Sequence, residues 1–221
     1  MKRLKLAMQR KGRLTEVCKP MLCNLGFTDD TARDLIFASP NEPIDVCFVR
    51  DEDIPMLVAN NACDFGIVGL NVYRELAPNV QILRKDNYCD PVIFDEFCIA
   101  KCRLSVAISA TETWAGVQSL EGKTIATSYI NETQRYLDEN KVNAKTIFMA
   151  GSVEIALRLG LADVIIDIVE SGKTLLENGL KEATPDAPLI NSQMIAICNP
   201  GLTDRDISLI KSITRKIKQR T

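Results

Sequence analysis

The sequence contains no histidine. Without an imidazole the chain cannot build a Ser-His-Asp or Cys-His nucleophile pair, and it has no imidazole acid or base. Any catalysis must use carboxylates, lysine, tyrosine, arginine, backbone amides or a bound metal. This absence favours reactions that depend on positioning the substrates and on neutralising charge.

The cysteines do not form a recognisable metal or disulfide pattern. The eight cysteines are scattered, and the closest pairs, Cys18 with Cys23 and Cys98 with Cys102, are five and four residues apart. Without histidine, a zinc site would need four thiolates or help from carboxylates. We therefore expect no metal held by protein side chains alone, and we expect most thiols to be buried and inert.

Long apolar runs and an excess of one charge are also missing. No stretch of 18 apolar residues is present, and the basic segment 1–13 has no apolar core of signal-peptide length. The formal net charge is -2, and the basic segment 211–220 is typical of a solvated helix face. We expect a cytoplasmic protein that binds neither nucleic acid nor membrane.

Short apolar runs alternate with helical patterns, which predicts the α/β class with mostly parallel sheets. Strands are predicted at 3–8, 34–39, 44–50, 63–69, 80–84, 103–109, 123–129, 145–150, 162–170 and 189–198, and 86–95 is predicted to be irregular. Helices are predicted at 15–24 with Thr15 as N-cap, and at 51–61, 70–76, 132–140, 152–159, 172–178 and 203–219. We expect two lobes, residues 1–90 plus 183–221 and residues 91–182. Ligands in such folds bind in a cleft, at the carboxyl ends of strands.

The segment DIVESGKT at 167–174 is the sharpest motif. A hydrophobic strand ends there, and Gly172 would let the backbone approach an anion. Ser171 and Thr174 can donate to phosphate oxygens, Lys173 can neutralise them, and Asp167 can accept hydrogen bonds from ribose hydroxyls. A Walker A loop would need glycine five residues before Gly172, where the sequence has aspartate. The alternative is a plain helix cap.

Basic residues follow or open several predicted strands. Lys11 and Arg13 follow the first strand, Arg50 ends the strand at 44–50, and Arg103 opens the strand at 103–109. A guanidinium fork matches the geometry of phosphate oxygens. Each of these residues could instead be a surface or ion-pair residue.

Three further segments combine strand ends with glycine or hydroxyl groups. DFGIVG runs from Asp64 to Gly69. A glycine at this place would let a planar ligand or a phosphate approach the backbone, or it would serve only a tight turn at the end of the strand. IATSY ends at Tyr129, which could stack on a base or hydrogen-bond to phosphate. In GSVE, Glu154 lies near the first turn of a predicted helix that Ser152 could cap.

Taken in order, these segments resemble the ATP phosphoribosyltransferase family. The resemblance rests on KGRL at 11–14, VRDEDIP at 49–55, DFGIVG-x-N at 64–71, CRLSVA at 102–107, KTIATSY at 123–129, GSVEIA at 151–156 and GLADVIIDIVESGKTLLENGL at 160–180. It implies two lobes of the type II periplasmic-binding-protein kind, with the active site in the interlobe cleft.

The resemblance also implies roles for the candidate residues. Phosphoribosyl pyrophosphate would be bound by Asp167, Glu170, Ser171, Gly172, Lys173, Thr174 and Glu154. ATP would be bound by Asp64, Gly69, Arg103 and Tyr129, and the catalytic cations would be Lys11, Arg13 and Arg50. Mg²⁺ would arrive with the pyrophosphate group of the substrate.

The implied reaction joins ATP to phosphoribosyl pyrophosphate at the start of histidine biosynthesis. N1 of ATP attacks C1 of the ribose and pyrophosphate leaves, which needs no strong general base. The resemblance is to the short form, a homodimer of catalytic subunits that assembles with a regulatory subunit related to histidyl-tRNA synthetase. The alternatives are the truncated core of a long-form enzyme and a solute-binding or sensor module of the same fold.

Overall fold

The computed structural model describes residues 3–28, 34–80, 92–185 and 187–218. Its contacts divide the chain into two units. The first consists of Met1–Ala100 and Gln193–Thr221, and the second of Lys101–Ser192. The chain therefore crosses between units after Ala100 and after Ser192, rather than near residues 90 and 183. The shift arises because a strand at Val92–Glu96 still pairs within the first unit, and a strand at Ile190–Ser192 still pairs within the second.

The first unit is built on a six-stranded sheet with the order β2-β3-β1-β4-β12-β5. Its strands are β1 (Leu4–Gln9), β2 (Ile36–Ala38), β3 (Ile44–Val49), β4 (Phe65–Gly69), β5 (Val92–Glu96) and β12 (Met194–Cys198). Its helices are α1 (Arg13–Asn24), α2 (Ile54–Ala59), α3 (Leu70–Val80) and α7 (Asp204–Lys218), with a 3₁₀ turn at Asp51–Asp53. Strands β3, β1 and β4 are parallel, whereas β2 and β12 run antiparallel to their neighbours.

Both faces of this sheet are covered. On one face Leu6 and Met8 of β1 pack in a cluster with Ile210 and Ile213 of α7. On the other face Ala7 packs in a second cluster with α2 and α3. Every residue of β4 and β12 is buried, as expected for central strands that are covered on both sides.

The second unit has a sheet with the order β10-β6-β9-β7-β8, and β11 also pairs with β6. Its strands are β6 (Cys102–Ser109), β7 (Thr124–Thr127), β8 (Lys145–Phe148), β9 (Val164–Val169), β10 (Leu180–Glu182) and β11 (Ile190–Ser192). Its helices are α4 (Ile130–Glu139), α5 (Ile155–Arg158) and α6 (Lys173–Glu177), with a 3₁₀ turn at Val117–Leu120. Strands β9, β7 and β8 are parallel, and β6 runs antiparallel to β9.

The structure corrects several expectations. The sheets are mixed rather than mostly parallel, because each combines three neighbouring parallel strands with antiparallel pairings. The segment at 86–95, predicted to be irregular, contains most of β5. Of the strand predicted at 80–84, Val80 is the last residue of α3, and residues 81–84 lie outside the described residues. Helix α1 begins at Arg13 with Gly12 as N-cap. The prediction that Thr15 is the N-cap was wrong, since the hydroxyl of Thr15 donates to the carbonyl of Gln9 at 2.7 Å.

The structure shows no bilayer-length apolar helix in the part of the chain that it describes.

Candidate active site

Four candidate residues of the first unit lie at one edge of its sheet. Because β3, β1 and β4 are parallel neighbours, their carboxyl ends meet at the same edge. Lys11 follows β1, Arg50 follows β3, and Gly69 ends β4. Arg13, the first residue of α1, lies beside Lys11 in the chain. The structure thus brings the cations predicted to be catalytic to one edge, where Lys11 and Arg50 are exposed.

The backbone at this edge holds the cations in defined loops. Gly12 has a φ of 127°, and a Cβ there would lie 2.7 Å from Oε1 of Gln9, so the turn after β1 requires glycine. Arg50 is extended, and its carbonyl oxygen accepts the N–H of Asp53 at 3.1 Å. Among the described residues, no hydrogen bond or ion pair is found for the guanidinium of Arg50. Its charge is therefore available to a ligand.

The second unit gathers its candidates in the same way. Strands β9, β7 and β8 are parallel neighbours, so the segments after them share an edge. These segments carry Tyr129 after β7, Glu154 after β8, and the loop at 170–174 after β9, which we call the phosphate loop. The backbone of Tyr129 donates to the hydroxyl of Thr127 at 2.8 Å, which fixes the start of α4.

The phosphate loop presents its polar groups to solvent. Gly172 has a φ of 76° and is the N-cap of α6, and no atom lies within 4 Å of the position that its Cβ would take. Ser171, Lys173 and Thr174 are exposed. The ammonium of Lys173 lies 3.7 Å from Oε1 of Glu177, an exposed pair that contributes little stability. The loop can therefore offer two hydroxyls, an ammonium and a backbone without a side chain at its centre.

Asp167 lies in β9 just before the phosphate loop. Burial raises the pKa of its carboxyl to about 6, although one hydrogen bond from the backbone lowers that pKa. That bond is donated by the N–H of Ile168 to Oδ1 of Asp167 at 2.8 Å. The negative charge of Glu154 raises the pKa further. The two carboxylates are thus close enough to influence one another.

The guanidinium of Arg103 is bound to the carboxylate of Glu182. Its Nε donates to Oε1 of Glu182 at 2.5 Å, and its Nη2 pairs with Oε2 of the same carboxylate. Nη1 donates to the carbonyl oxygen of Glu170 at 3.3 Å. The hydrogen bonds that Arg103 donates to Glu182 raise the pKa of the Arg103 guanidinium. The structure therefore pairs the guanidinium of Arg103 with a carboxylate and with the first residue of the phosphate loop.

A family model described as ATP phosphoribosyltransferase (HisG) matches residues 50–219, which is most of the chain and includes the phosphate loop. This chain belongs to the ATP phosphoribosyltransferase family.

Solved structures support the same assignment and the fold. A chain of the ATP phosphoribosyl transferase (HisG:HisZ) complex from Thermotoga maritima is 25% identical to this phosphoribosyltransferase, with a TM-score of 0.76; the match covers 97% of this chain and 98% of that one. The aliphatic sulphonate binding protein SsuA from Escherichia coli is 10% identical with a TM-score of 0.62, covering 98% of this chain and 72% of that one. The second likeness shows the fold alone, that of a two-lobe periplasmic binding protein of type II.

Asp64 does not lie with the other candidates of this phosphoribosyltransferase. It precedes β4, and so lies at the amino edge of the sheet, opposite Lys11 and Arg50. Its Oδ2 accepts the backbone N–H of Lys5 at 2.8 Å, and its own N–H donates to the carbonyl of Lys5 at 2.9 Å. Asp64 thus joins the starts of β1 and β4, and we leave it out of the site proposed below.

Two residues that the sequence reasoning did not select help to shape these edges. Asn71 is only 5% exposed, and a Cβ on Gly69 would lie 2.5 Å from its Oδ1, so Gly69 is needed to accommodate the buried amide. Glu182 holds Arg103. Asn71 stands in the DFGIVG-x-N segment and could have been selected, whereas nothing near Glu182 in the sequence indicates its partner.

The raised pKa of Asp167 predicts a stability effect with a definite sign. Because the folded state favours the protonated carboxyl, ionisation of Asp167 weakens folding above pH 4, and the full cost applies above pH 6. We expect Asp167→Asn to raise the free energy of unfolding at pH 7.5 by an amount on the order of 1–3 kcal/mol, while the hydrogen bond from Ile168 is kept. Urea unfolding should show the difference shrink as the pH falls from 7 to 4. A difference that does not change with pH would contradict the assignment.

Proposed function

We propose that this phosphoribosyltransferase condenses ATP and 5-phosphoribosyl 1-pyrophosphate, and that the candidate residues of each unit have the roles given below. The product is N1-(5-phosphoribosyl)-ATP, the first intermediate of histidine biosynthesis, and pyrophosphate is released. The single observation that carries the assignment of roles is the phosphate loop, with its left-handed Gly172 and exposed donors, inside the segment that the family model matches.

The phosphate loop binds the phosphoribosyl group. Gly172 lets a phosphate approach the backbone amides, because no side chain lies over them. The hydroxyls of Ser171 and Thr174 donate to phosphate oxygens, and the ammonium of Lys173 neutralises part of their charge. Glu170 contributes its backbone to the same turn.

Asp167 and Glu154 bind the ribose hydroxyls. Both are acceptors near the start of the phosphate loop, and the charge of Glu154 raises the pKa of Asp167. A buried carboxyl group ionises more readily when a hydroxyl donates a hydrogen bond to it, because the hydrogen bond stabilises the charged form. Ribose binding therefore lowers the pKa of Asp167 towards its ordinary value.

The cations of the first unit act on the pyrophosphate and the nucleotide. Lys11, Arg13 and Arg50 stabilise the charge that grows on the leaving pyrophosphate, for which a guanidinium fork is well suited. The Mg²⁺ that comes with the pyrophosphate group of the substrate would add to this neutralisation. Tyr129 and the backbone at Gly69 contact ATP, through base stacking and through close approach.

This arrangement can carry the reaction without histidine. The lone pair on N1 of adenine forms the new bond to C1 of the ribose, while the bond from C1 to the pyrophosphate oxygen breaks. Adenine N1 carries no proton that must be removed, so no general base is needed. Positioning and charge stabilisation are then the whole contribution of the protein.

The test is an assay of pyrophosphate release with the purified protein. Release that requires ATP, phosphoribosyl pyrophosphate and Mg²⁺ together supports the proposal. A binding module of the same fold would bind one of these compounds and release nothing. The two outcomes separate the enzyme from the solute-binding alternative.

We also propose a regulatory partner. The match with a chain of the HisG:HisZ complex covers 98% of that chain, which supports a catalytic subunit that assembles with a HisZ-type subunit, related to histidyl-tRNA synthetase. The catalytic subunit would form a homodimer within this hetero-oligomer. Because ATP and phosphoribosyl pyrophosphate are made in the cytoplasm, the complex would work there.

Regulation by histidine should depend on that partner. We expect millimolar histidine to leave the turnover of the purified chain unchanged, and to inhibit turnover once the HisZ-type subunit is added, because the differential contacts between active and inhibited states would then exist. The measurement is the pyrophosphate assay with and without each component. Inhibition of the purified chain alone by micromolar histidine would overturn this division of labour.

A further inference from the structure

Arg103 lies in one strand of the second sheet, and its side chain contacts residues at or just after the ends of two others. It lies in β6, which has β9 on one side and both β10 and β11 on the other, and Asn191 of β11 is its partner in the register on that side. In the register of the sheet Arg103 lies opposite Val169, the last residue of β9. Its side chain then contacts Glu182 at the end of β10 and the carbonyl of Glu170, the first residue of the phosphate loop.

The contact with Glu182 is strong and specific. Two nitrogens of the guanidinium meet the two oxygens of one carboxylate, the planar arrangement that arginine forms best. The side chains are partly buried, with 29% of Arg103 and 11% of Glu182 exposed. Burial alone would raise the pKa of Glu182, but the hydrogen bonds to its carboxylate, those from Arg103 first, and the positive charge of Arg103 together outweigh burial and hold that pKa below its ordinary value.

The remaining guanidinium nitrogen is directed at the phosphate loop. With Nε and Nη2 fixed by Glu182, Nη1 has one orientation, and in that orientation it donates to the carbonyl of Glu170 at 3.3 Å. Of the residues that follow, Ser171, Lys173 and Thr174 are exposed. The position of Glu170 therefore sets where the donors of the loop lie.

We infer that Arg103 and Glu182 form a brace that positions the phosphate loop, so that Arg103 serves phosphoribosyl pyrophosphate through the loop rather than binding ATP. The inference rests on the proposed role of the loop. Both residues are positioning residues, since neither is placed on the substrate. Loss of the charge on Glu182 releases the guanidinium, and the loop then samples positions in which its donors miss the phosphate.

Kinetics of paired variants test this role. We expect Glu182→Gln and Arg103→Lys each to raise KM for phosphoribosyl pyrophosphate by about ten-fold, with KM for ATP within about two-fold of wild type. The double variant should be no worse than the more damaged single variant, because both changes remove the same brace. Hydrogen exchange at the amides of residues 171–174 should be faster in both single variants.

Arg3 and Asp45 of the first unit give a matched control. Arg3 also binds one carboxylate, at 2.7 Å, and donates to backbone carbonyls, those of Ser39 and Ile44. Arg3→Lys and Asp45→Asn should lower the melting temperature by amounts similar to those of the brace variants while leaving both KM values unchanged. This comparison separates a positioning role from a loss of stability.

Two outcomes would overturn the brace. A rise in KM for ATP in Arg103→Lys alone, without the same rise in Glu182→Gln, would mean that Arg103 binds ATP directly. Unchanged kinetics and exchange in both folded variants would mean that the pair only joins strands. Failure of the proposed function is distinguishable from both, because it would appear in the wild-type protein as the absence of pyrophosphate release.

Discussion

Gly172→Val is expected to lower turnover by about a hundred-fold or more, the loss seen when groups that stabilise charge are removed or displaced. Valine adds a branched side chain at the centre of the phosphate loop, over the amides that phosphate would approach. It also forces a β-branched residue into a left-handed conformation, with φ at 76°, at a local cost of roughly 1–2 kcal/mol. The fold should tolerate the change, since nothing lies within 4 Å of the added Cβ.

Gly122→Val provides the matched control. Gly122 belongs to the same unit, has a φ of 71°, and likewise has open space around its Cβ position. It precedes β7 and so lies at the opposite edge of the sheet from the loop. Both variants should lose similar stability in urea unfolding, and only Gly172→Val should lose pyrophosphate release. Near-normal release by folded Gly172→Val would remove the loop from the active site.

Arg50→Ala is expected to lower kcat/KM by about 2–4 kcal/mol, or roughly 30- to 1000-fold. The guanidinium of Arg50 is exposed, and in the described part of the chain no partner is found for it, so its removal should cost little folding energy. Its effect should therefore appear in the chemistry, as lost stabilisation of the leaving pyrophosphate. Steady-state rates with both substrates varied, together with the melting temperature, measure the two contributions.

Arg158→Ala is the corresponding control for charge. Arg158 is an exposed arginine at the end of α5, and its removal changes the net charge by the same amount without altering either candidate edge. We expect normal kcat/KM for Arg158→Ala. If Arg50→Ala instead shows a lowered melting temperature and normal kinetics, Arg50 is a structural residue and the proposed role is wrong.

The sequence predicted the parts of the site that follow from strand ends. Lys11, Arg50 and the phosphate loop each come directly after an apolar run, and parallel neighbouring strands deliver such residues to one edge. The same rule explains the placement of Asp64. It comes before its strand, so it lies at the amino edge, and its position in the chain could have indicated this.

Other features depend on partners that are distant in the chain. Glu182 is 79 residues from Arg103, and the three-residue strand that holds it, β10, is too short to show a period of two. Strand β5 was missed because its alternating pattern is weak, and all five of its residues are exposed or half-buried. Its place in the sheet depends on pairing with β12, about a hundred residues later. Local patterns carry no information about such pairings.

The late return of β12 to the first sheet has a consequence for protein synthesis. Strand β4 is apolar along its whole length and is completed by β12, which leaves the ribosome only after the entire second unit. At the usual rate of about 5–20 residues per second, the nascent chain carries an unpaired edge on β4 for a time on the order of 10 s. By the end of that time the second unit has all of its strands and can fold. The first unit is exposed to edge pairing with other chains, and synthesis of Met194–Cys198 supplies the strand that closes this edge.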